Sequence, residues 1–262
     1  MTTFSKAHYI RAAKQHGVHS LLAAPESNPK VAKNMKSGVM TFPLHLAPAE
    51  LSGFNVCPKS TAGCREGCLH TAGNPLYMSG KEKARIARTV LYFKQRGLFL
   101  DLLRAEIDAG IRKAHKGNMA PAFRLNATSD IPWENVAVNY DGHPAKTVAE
   151  YIGQSGAEIY DYTKRANRKP PANYHLTFSL AENNDADAID WLERGGNVAV
   201  VFDTKKGQPL PGTLILGDRA WPVIDGDLSD YRPNDPSPCI VGLRAKGDAI
   251  GDQSGFVRGG AV

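Results

Sequence analysis

Segments typical of β-strands alternate with segments typical of α-helices along most of this chain. Helix-like segments, which run over 81–115 with a break near Gly97, 145–154 and 185–194, stand between several strand-like ones. Such alternation requires right-handed crossovers and predicts a mainly parallel sheet. The strand-like segments are 40–47, 122–127, 158–162, 174–180, 197–202, 221–225 and 239–243. We therefore predict an α/β fold, a partial or irregular (β/α) barrel of the TIM-barrel type, with a doubly wound sheet as the alternative.

The length of 262 residues suffices for one large domain with its own hydrophobic core. Residues 1–35 are polar and basic, and we predict that they form an N-terminal surface segment with a short helix around His8 to His16. Residues 36–262 contain no linker and no low-complexity tract, so we predict a single α/β barrel-like domain. The helices after Phe202 and Asp227 are expected to be weak or missing.

Composition and charge are those of an ordinary globular protein, with 42% hydrophobic and 22% charged residues. No apolar run approaches the roughly 20 residues that a membrane helix needs, and the N-terminus has no apolar signal core. We expect a cytoplasmic protein without a membrane partner. The net charge of +6 is compatible with an anionic partner, although the basic residues are scattered. Motifs for P-loop, dinucleotide, zincin and serine-hydrolase sites are missing from the sequence.

Three of the four cysteines, Cys57, Cys64 and Cys68, have the spacing C-x6-C-x3-C. In a reducing compartment such a group indicates metal or redox chemistry rather than disulfides. The surrounding segment 55–73 is rich in small residues and is expected to be a loop, in which backbone can wrap closely around a cluster. Thiolates are soft ligands that suit iron–sulfur clusters and zinc. We predict that the three cysteines bind an iron–sulfur cluster.

Two other interpretations of the cysteines stay open. Zinc sites usually contain closely spaced cysteine pairs and need four ligands, so zinc would recruit a further residue, for which His70 is nearest. The cysteines could also be structural thiols, although three in one polar loop argue against this. Cys239 begins a strand-like segment and is expected to lie in the core. The cluster would then have one iron without a cysteine ligand.

Polar residues follow the carboxyl ends of most of the predicted strands, where ligands bind in parallel α/β folds. Alternatively, Asp, Asn and Ser at these positions cap the following helices, and Asp161 with Lys164 forms a plain ion pair. Arg124, together with Arg165, could hold an anion such as a phosphate. The candidate substrate-binding residues are Arg124, Asn126, Ser129, Asp130, Asp161, Lys164, Asp225 and Lys246.

Several separate blocks of sequence resemble the phage "gene product 88" family. The resemblance extends from Asn34 to Lys246, and it implies a phage origin and three clustered cysteines, but no activity. In that family the position of Cys239 is not reliably cysteine. The blocks are LAPAELSGFNVCPKSTAGCREGCLHTAG, FRLNATSDIPWE, YDYTKR, NYHLTFSLAE, NVAVVF, VIDGD and IVGLRAKG.

A second resemblance is architectural. Radical S-adenosylmethionine enzymes carry three cysteines that hold a [4Fe–4S] cluster directly after the first strand of a (β/α) barrel, and the order of segments here is similar. That resemblance implies a [4Fe–4S] cluster and S-adenosylmethionine. Their usual spacing is C-x3-C-x2-C, and this chain has neither that spacing nor a Gly-Gly-Glu stretch after the second predicted strand. S-adenosylmethionine binding is therefore a weaker expectation than the cluster.

Two classes of function follow for a phage-encoded protein in the host cytoplasm. The first is a cluster-dependent enzyme that resembles radical S-adenosylmethionine enzymes and binds a small molecule at the mouth of the barrel. The second is a binding or regulatory protein, stabilised by a cluster or by zinc, that acts on host nucleic acid or a host protein. Its contact surface would be a basic patch formed by Arg65, Lys81, Lys83, Arg85 and Arg88, unless these residues are only a solvated helix face.

Overall fold

The computed structural model describes residues 5–27, 29–68, 79–140 and 142–259, with Pro29, Lys30 and Ser79 described by their backbone only. Seven α-helices lie in these ranges, namely α1 (Lys6–Lys14), α2 (Pro29–Ala32), α3 (Ala62–Glu66), α4 (Ser79–Lys94), α5 (Arg96–Lys116), α6 (Val148–Gln154) and α7 (Asp185–Glu193). None of these helices combines the length and the apolar character that a membrane span requires.

Nine strands in the same ranges form a mostly parallel sheet. They are β1 (Val39–Pro43), β2 (Ala120–Arg124), β3 (Glu158–Thr163), β4 (Tyr174–Ser179), β5 (Asn197–Phe202), β6 (Thr213–Leu216), β7 (Arg219–Asp225), β8 (Ile240–Arg244) and β9 (Val257–Arg258). The strand order is β1-β2-β3-β4-β5-β8-β7-β6, with β9 beside β5. The β6–β7 pair is antiparallel, whereas β1–β2, β2–β3, β4–β5, β5–β8, β7–β8 and β5–β9 are parallel.

The predicted mixed α/β class with a mainly parallel sheet is confirmed. All seven predicted strands are present, within a few residues of their predicted bounds. The sheet is not closed, because its order has ends at β1 and β6 and no pairing joins these two among the described strands. The barrel is therefore not confirmed.

Three local predictions change. The helix break lies at Gln95, whose backbone leaves the helical region (φ −135°, ψ 56°), and not at Gly97, which lies inside α5. A single glycine costs a helix only about 1 kcal/mol and does not by itself end it. The cysteine segment is not only loop, since it contains α3. The weak helical content after Phe202 is confirmed, because no α-helix follows α7 in the described part of the chain.

The chain divides into two compact units. The first unit comprises Met1–Cys57, Met78–Asp161 and Lys169–His175, and the second comprises Pro58–Tyr77, Tyr162–Arg168 and Leu176–Val262. Each unit takes residues from several parts of the chain. This division does not test the predicted boundary at residue 35.

The first unit buries β1 and β2 against α5. Every residue of β1 is buried, as is typical of a strand in a parallel sheet. The rings of Phe42 and Phe123 stack with centroids 5.6 Å apart. A Cβ on Gly110 of α5 would lie 3.2 Å from the Phe42 ring, so glycine allows the helix to approach the strand closely. In the N-terminal segment the side chains of Tyr9 and Ala13 on α1 are also buried.

The second unit has its own apolar core between α7 and the strands β4, β5, β7 and β8. It is built mainly from large residues with less than a tenth of their surface exposed: Phe178, Leu180, Ala188, Leu192, Val198, Val200, Phe202, Leu216, Trp221 and Ile240. Side chains of both faces of β5 are buried, which agrees with the continuous apolar run NVAVVF. This core fixes the carboxyl ends of β4, β7 and β8, where the polar residues of this unit lie.

Candidate metal centre

Cys57 lies in the first unit, at the end of a closed loop that follows β1. The N–H of Val56 donates to the carbonyl of Ala49 at 3.1 Å, and Ala49 takes the left-handed conformation with φ 47°. The N–H of Cys57 donates to Oδ1 of Asn55 at 2.8 Å, an Asx turn that fixes the backbone at the cysteine. The thiol itself is half-buried and donates to the carbonyl of Thr128 at 3.9 Å.

The segment after β2 holds this loop in place. The N–H of Asp130 donates to the carbonyl of Val56 at 2.8 Å. The hydroxyl of Thr128 donates to the carbonyl of Leu46 at 2.6 Å. These bonds connect the backbone on both sides of the cysteine loop to residues 128–130. The position of Cys57 is therefore set by the carboxyl end of β2.

Asn126 is the hub that shapes residues 126–133. Its Oδ1 accepts from Ser129 Oγ at 2.8 Å, from the N–H of Ile131 at 2.9 Å and from Trp133 Nε1 at 3.2 Å. Its Nδ2 donates to the carbonyl of Ile131 at 2.8 Å and to the hydroxyl of Tyr174 at 3.2 Å. With this many bonds, the buried amide is fully satisfied and fixes the loop that holds Cys57.

Asp161 at the end of β3 completes this network and is fully buried. Its Oδ1 accepts from the N–H of Asn126 at 2.7 Å, and its Oδ2 accepts from the hydroxyl of Tyr174 at 2.7 Å. A buried carboxylate needs such donors because its desolvation is otherwise very costly. Of the predicted substrate-binding residues, Asn126, Ser129, Asp130 and Asp161 are thus all buried, and Asn126, Ser129 and Asp161 take part in this one network.

Cys64 lies in the second unit, on the short helix α3. Thr61 is the N-cap, and its Oγ1 accepts from the N–H of Cys64 at 3.2 Å. The carboxylate of Glu182, just after β4, also binds the start of this helix. It accepts from the Thr61 hydroxyl at 2.6 Å and from the N–H of Gly63 at 2.9 Å. Although partial burial raises the pKa of Glu182, these hydrogen bonds outweigh burial and hold it below its usual value.

Two glycines allow α3 to pack closely on the C-terminal segment of the same unit. A Cβ on Gly63 would lie 2.9 Å from the Cβ atoms of Phe256 and Ser254. A Cβ on Gly67 would lie 3.2 Å from Ala249 and from the Phe256 ring. The glycines of the cysteine segment thus serve close packing of the helix that carries Cys64.

Cys64 and Cys68 lie on successive positions of one helical turn. The N–H of Gly67 donates to the carbonyl of Gly63 at 2.8 Å, and that of Cys68 to Arg65 at 3.4 Å, so the turn continues through Cys68. Residues four apart on such a turn lie on the same side of it. Both thiols are half-buried, and neither is in a disulfide. This donor pair suits a metal or cluster that takes two adjacent thiolates.

A complete set of metal ligands is not found in the structure. Within the described residues, no group of three or more His, Cys, Asp or Glu side chains is arranged to hold a metal ion. Cys57 belongs to the first unit, whereas Cys64 and Cys68 belong to the second. His70, the candidate fourth zinc ligand, lies outside the described residues. The binding of a metal by the three cysteines therefore stays a prediction.

Cys239 lies in the core, as predicted. Its side chain is 1% exposed, and it packs with Ala199 and Val241. Its N–H donates to Oδ1 of Asn197 at 2.9 Å. Burial, and secondarily the charge of Asp235, raises the pKa of the thiol to about 11. A thiol in this environment is a poor metal ligand at neutral pH.

Asp225 and Lys246 belong to a charged cluster at the ends of β7 and β8. Arg244 binds Asp225 through two contacts of 2.9 Å and reaches Asp227 at 3.2 Å. Lys246 Nζ donates to Asp227 at 2.6 Å. The hydrogen bonds from Arg244 hold the pKa of Asp225 below its usual value. Two acids and two bases are thus paired here, and the sequence pattern indicated Arg244 and Asp227 only as neighbours of the site.

Lys164 and Arg124 are placed differently from each other. Lys164 Nζ, in the second unit, donates to Ser179 Oγ at 2.8 Å, which joins the ends of β3 and β4. Arg124 ends β2 in the first unit, is half-buried, and its positive charge acts on the half-buried His45. The sequence pattern did not single out His45, Thr61 or Glu182. Only the capping pattern of Thr61 before a short helix gave a local signal.

The comparison with protein-family models gave a match to the gene product 88 family over residues 15–260. The chain belongs to this family. The match confirms the predicted resemblance to the phage gene product 88 family and extends it beyond both ends of the range 34–246. The family assignment also supports the predicted phage origin. Searches of curated proteins and of solved structures returned no match.

Proposed function

We propose that this member of the gene product 88 family is an iron–sulfur protein whose [4Fe–4S] cluster is held by Cys57, Cys64 and Cys68. The single observation that carries the proposal is the helical turn with Cys64 and Cys68 on one side, both as partly exposed thiols. Two thiolates on one turn are a ready half of a cluster site, and Cys57 is the third thiol in the C-x6-C-x3-C motif.

The hydrogen bonds around the cysteines support this role because they position backbone rather than consume thiols. Glu182 and Thr61 fix the start of the Cys64 helix, and Asn55 fixes the turn at Cys57. Ligands held in this way lose less conformational entropy on binding. The buried Cys239 is not one of the ligands, so one iron lacks a cysteine.

When bound, a [4Fe–4S] cluster supplies electron transfer and, at an iron without a cysteine, a position for a substrate or small ligand. The residues of this chain orient and insulate that position. The proposal includes the (β/α)-barrel-like arrangement and the placement of the cysteines after the first strand, in the manner of radical S-adenosylmethionine enzymes. It also includes action in the reducing cytoplasm of the host cell, where thiolates persist.

Metal content distinguishes this proposal from a zinc site. The full chain is purified without oxygen, and its iron, acid-labile sulfide and zinc are quantified. We expect a brown protein that absorbs near about 400 nm and holds about four iron atoms per chain. A colourless protein with stoichiometric zinc would replace the cluster by zinc. S-adenosylmethionine with a reductant then separates the enzymes: reductive cleavage supports the radical form, and its absence excludes that form alone.

A binding protein for host nucleic acid is the second candidate, favoured by the net charge of +6 and the basic residues of α4. The measurement is affinity for DNA and RNA as a function of salt. Binding that weakens steeply as salt rises, in a wild-type protein without any redox signal, would favour this candidate. Binding that is weak at low salt would argue against it.

A further inference from the structure

His45 is held between the end of β2 and the helix α4 of the first unit. On one side of it, the N–H of Leu44 donates to the carbonyl of Arg124 at 2.9 Å. On the other side, the N–H of Ala47 donates to Thr89 Oγ1 at 2.8 Å, and that hydroxyl donates to the carbonyl of Arg85 at 2.9 Å. These bonds fix His45 next to both cationic elements.

The side of α4 that faces this segment is basic. Lys81, Arg85 and Arg88 follow each other at spacings of four and three residues, so they share one side of the helix with Thr89. Lys83 stands two residues from Lys81 and lies on another side. Arg88 has a structural role, because its Nε donates to the carbonyl of Ser20 at 2.7 Å and it interacts with the buried Glu106.

The charged groups that act most strongly on His45 are all cations, namely Arg85, Arg124, Arg88 and Lys81. Burial, strengthened by these charges, lowers the pKa of His45 to about 3, so the ring is neutral at physiological pH. Its Nδ1 atom is buried and has no hydrogen-bond partner in the structure. A neutral imidazole can place its proton on Nδ1 and donate it to an acceptor.

We propose that His45, Arg85 and Arg124, with the exposed Lys81 beside them, bind a phosphate group. A dianion relieves the repulsion among crowded like charges and accepts a hydrogen bond from the ring nitrogen. Arginine guanidinium groups match the tetrahedral oxygens of phosphate through paired hydrogen bonds. The partly exposed side chains of His45, Arg85 and Arg124 leave this site open to solvent. The site is independent of the cysteines and does not rest on the cluster.

The test is the binding of inorganic phosphate to the full chain, measured by calorimetry at constant ionic strength with chloride as the reference anion. The test variants are R85Q, R124Q and K81Q, and the matched controls are R112Q, at an exposed site on α5, and K83Q, on another side of α4. We expect the controls to bind like the wild type and the two arginine variants to bind about tenfold more weakly or worse. K81Q should be weakened less, and because Lys81 is exposed it keeps the test informative if an arginine variant does not fold.

Nitrogen NMR of the histidine rings adds a readout that a purely structural role would not give. Phosphate should shift the His45 ring signals of the wild type but not of R85Q. Adenosine monophosphate, compared with adenosine and inorganic phosphate, shows whether the phosphate is part of a monoester or free. Equal phosphate binding by wild type and R85Q, or no binding by the wild type, would overturn the proposal. Tight oligonucleotide binding without phosphate binding would overturn it in favour of a nucleic-acid surface.

Discussion

The carboxylate of Glu182 accepts a hydrogen bond of 2.6 Å from the hydroxyl of Thr61, although the two residues are 121 positions apart in the chain. The same carboxylate accepts from the N–H of Gly63 at 2.9 Å. The start of the helix that carries Cys64 is therefore fixed by the residue that follows β4. The spacing of cysteines in the sequence does not reveal this support.

Replacing Glu182 by glutamine should loosen the Cys64 helix. The neutral amide loses the charge-assisted hydrogen bonds and turns an N–H group towards one of the two donors. We expect the free energy of unfolding to fall by about 1–2 kcal/mol in urea titrations. Glu193→Gln, at an exposed position at the end of α7, is the control and should change the stability little. Equal stability of the two variants would show that the contact does not support the helix.

The same contact should make the second unit sensitive to acid. The pKa of Glu182 is held below its ordinary value of 4.5, so the stabilisation is present above that pH and is lost as the pH falls through the folded-state value. Wild-type protein should therefore lose more stability than Glu182→Gln below about pH 4.5. Parallel curves for the two proteins in this range would contradict the lowered pKa.

Replacing Gly63 by alanine should destabilise the protein through overpacking. The new Cβ would lie 2.9 Å from Cβ atoms of Phe256 and Ser254, which is too close for carbon atoms. We expect a loss of about 1–3 kcal/mol and faster alkylation of the Cys64 thiol. Gly97→Ala is the matched control, because a Cβ added at this position of α5 would have no neighbour within 4 Å, and it should be neutral or slightly stabilising. Tolerance of Gly63→Ala would mean that α3 is not packed on this segment.

Removing the hydroxyl of Tyr174 should test the buried Asn126 network. Tyr174→Phe takes away a donor to Asp161 Oδ2 and an acceptor for Asn126 Nδ2. Because Asp161 is fully buried, we expect a loss of about 1–3 kcal/mol in chemical unfolding. Tyr151→Phe removes a hydroxyl bound to Asp108 on the half-exposed side of α6 and should cost less than about 1 kcal/mol. A reversed order would contradict the structural weight given to the network.

His45 should contribute a pH dependence of its own. Its folded-state pKa is about 3, against an ordinary value of 6.5, so the unfolded chain binds a proton in this range and the folded chain does not. Stability is then complete above pH 6.5 and decreases as the pH falls towards 3, by at most about 1.4 kcal/mol per pH unit. In phosphate-free buffer, His45→Gln should flatten the curve between pH 4 and 6.5 relative to wild type, whereas the exposed His19→Gln should not. Identical curves would show that His45 is ordinarily solvated.

The alternating strands and helices could be predicted from the sequence because each segment carries its own periodicity. Strand β6 was missed because its four residues show no alternation, and β9 has only two. The carboxyl ends of the strands were correctly expected to collect polar residues. Their burial could not be foreseen, because it depends on partners such as Tyr174, which is 48 positions from Asn126. The cysteine motif was visible locally, whereas its support by Glu182 depends on the tertiary fold.

The most direct test of the central claim is iron and sulfide content, with electron paramagnetic resonance, on anaerobically purified and reduced protein. The proteins to compare are the wild type, the three alanine variants of Cys57, Cys64 and Cys68, and Cys239→Ala as the matched control. We predict about four iron atoms and a reduced-cluster signal in the wild type and in Cys239→Ala, and loss of both in each of the other variants. Unchanged iron and signal in Cys64→Ala, or a wild type that holds zinc without iron, would contradict the proposed cluster.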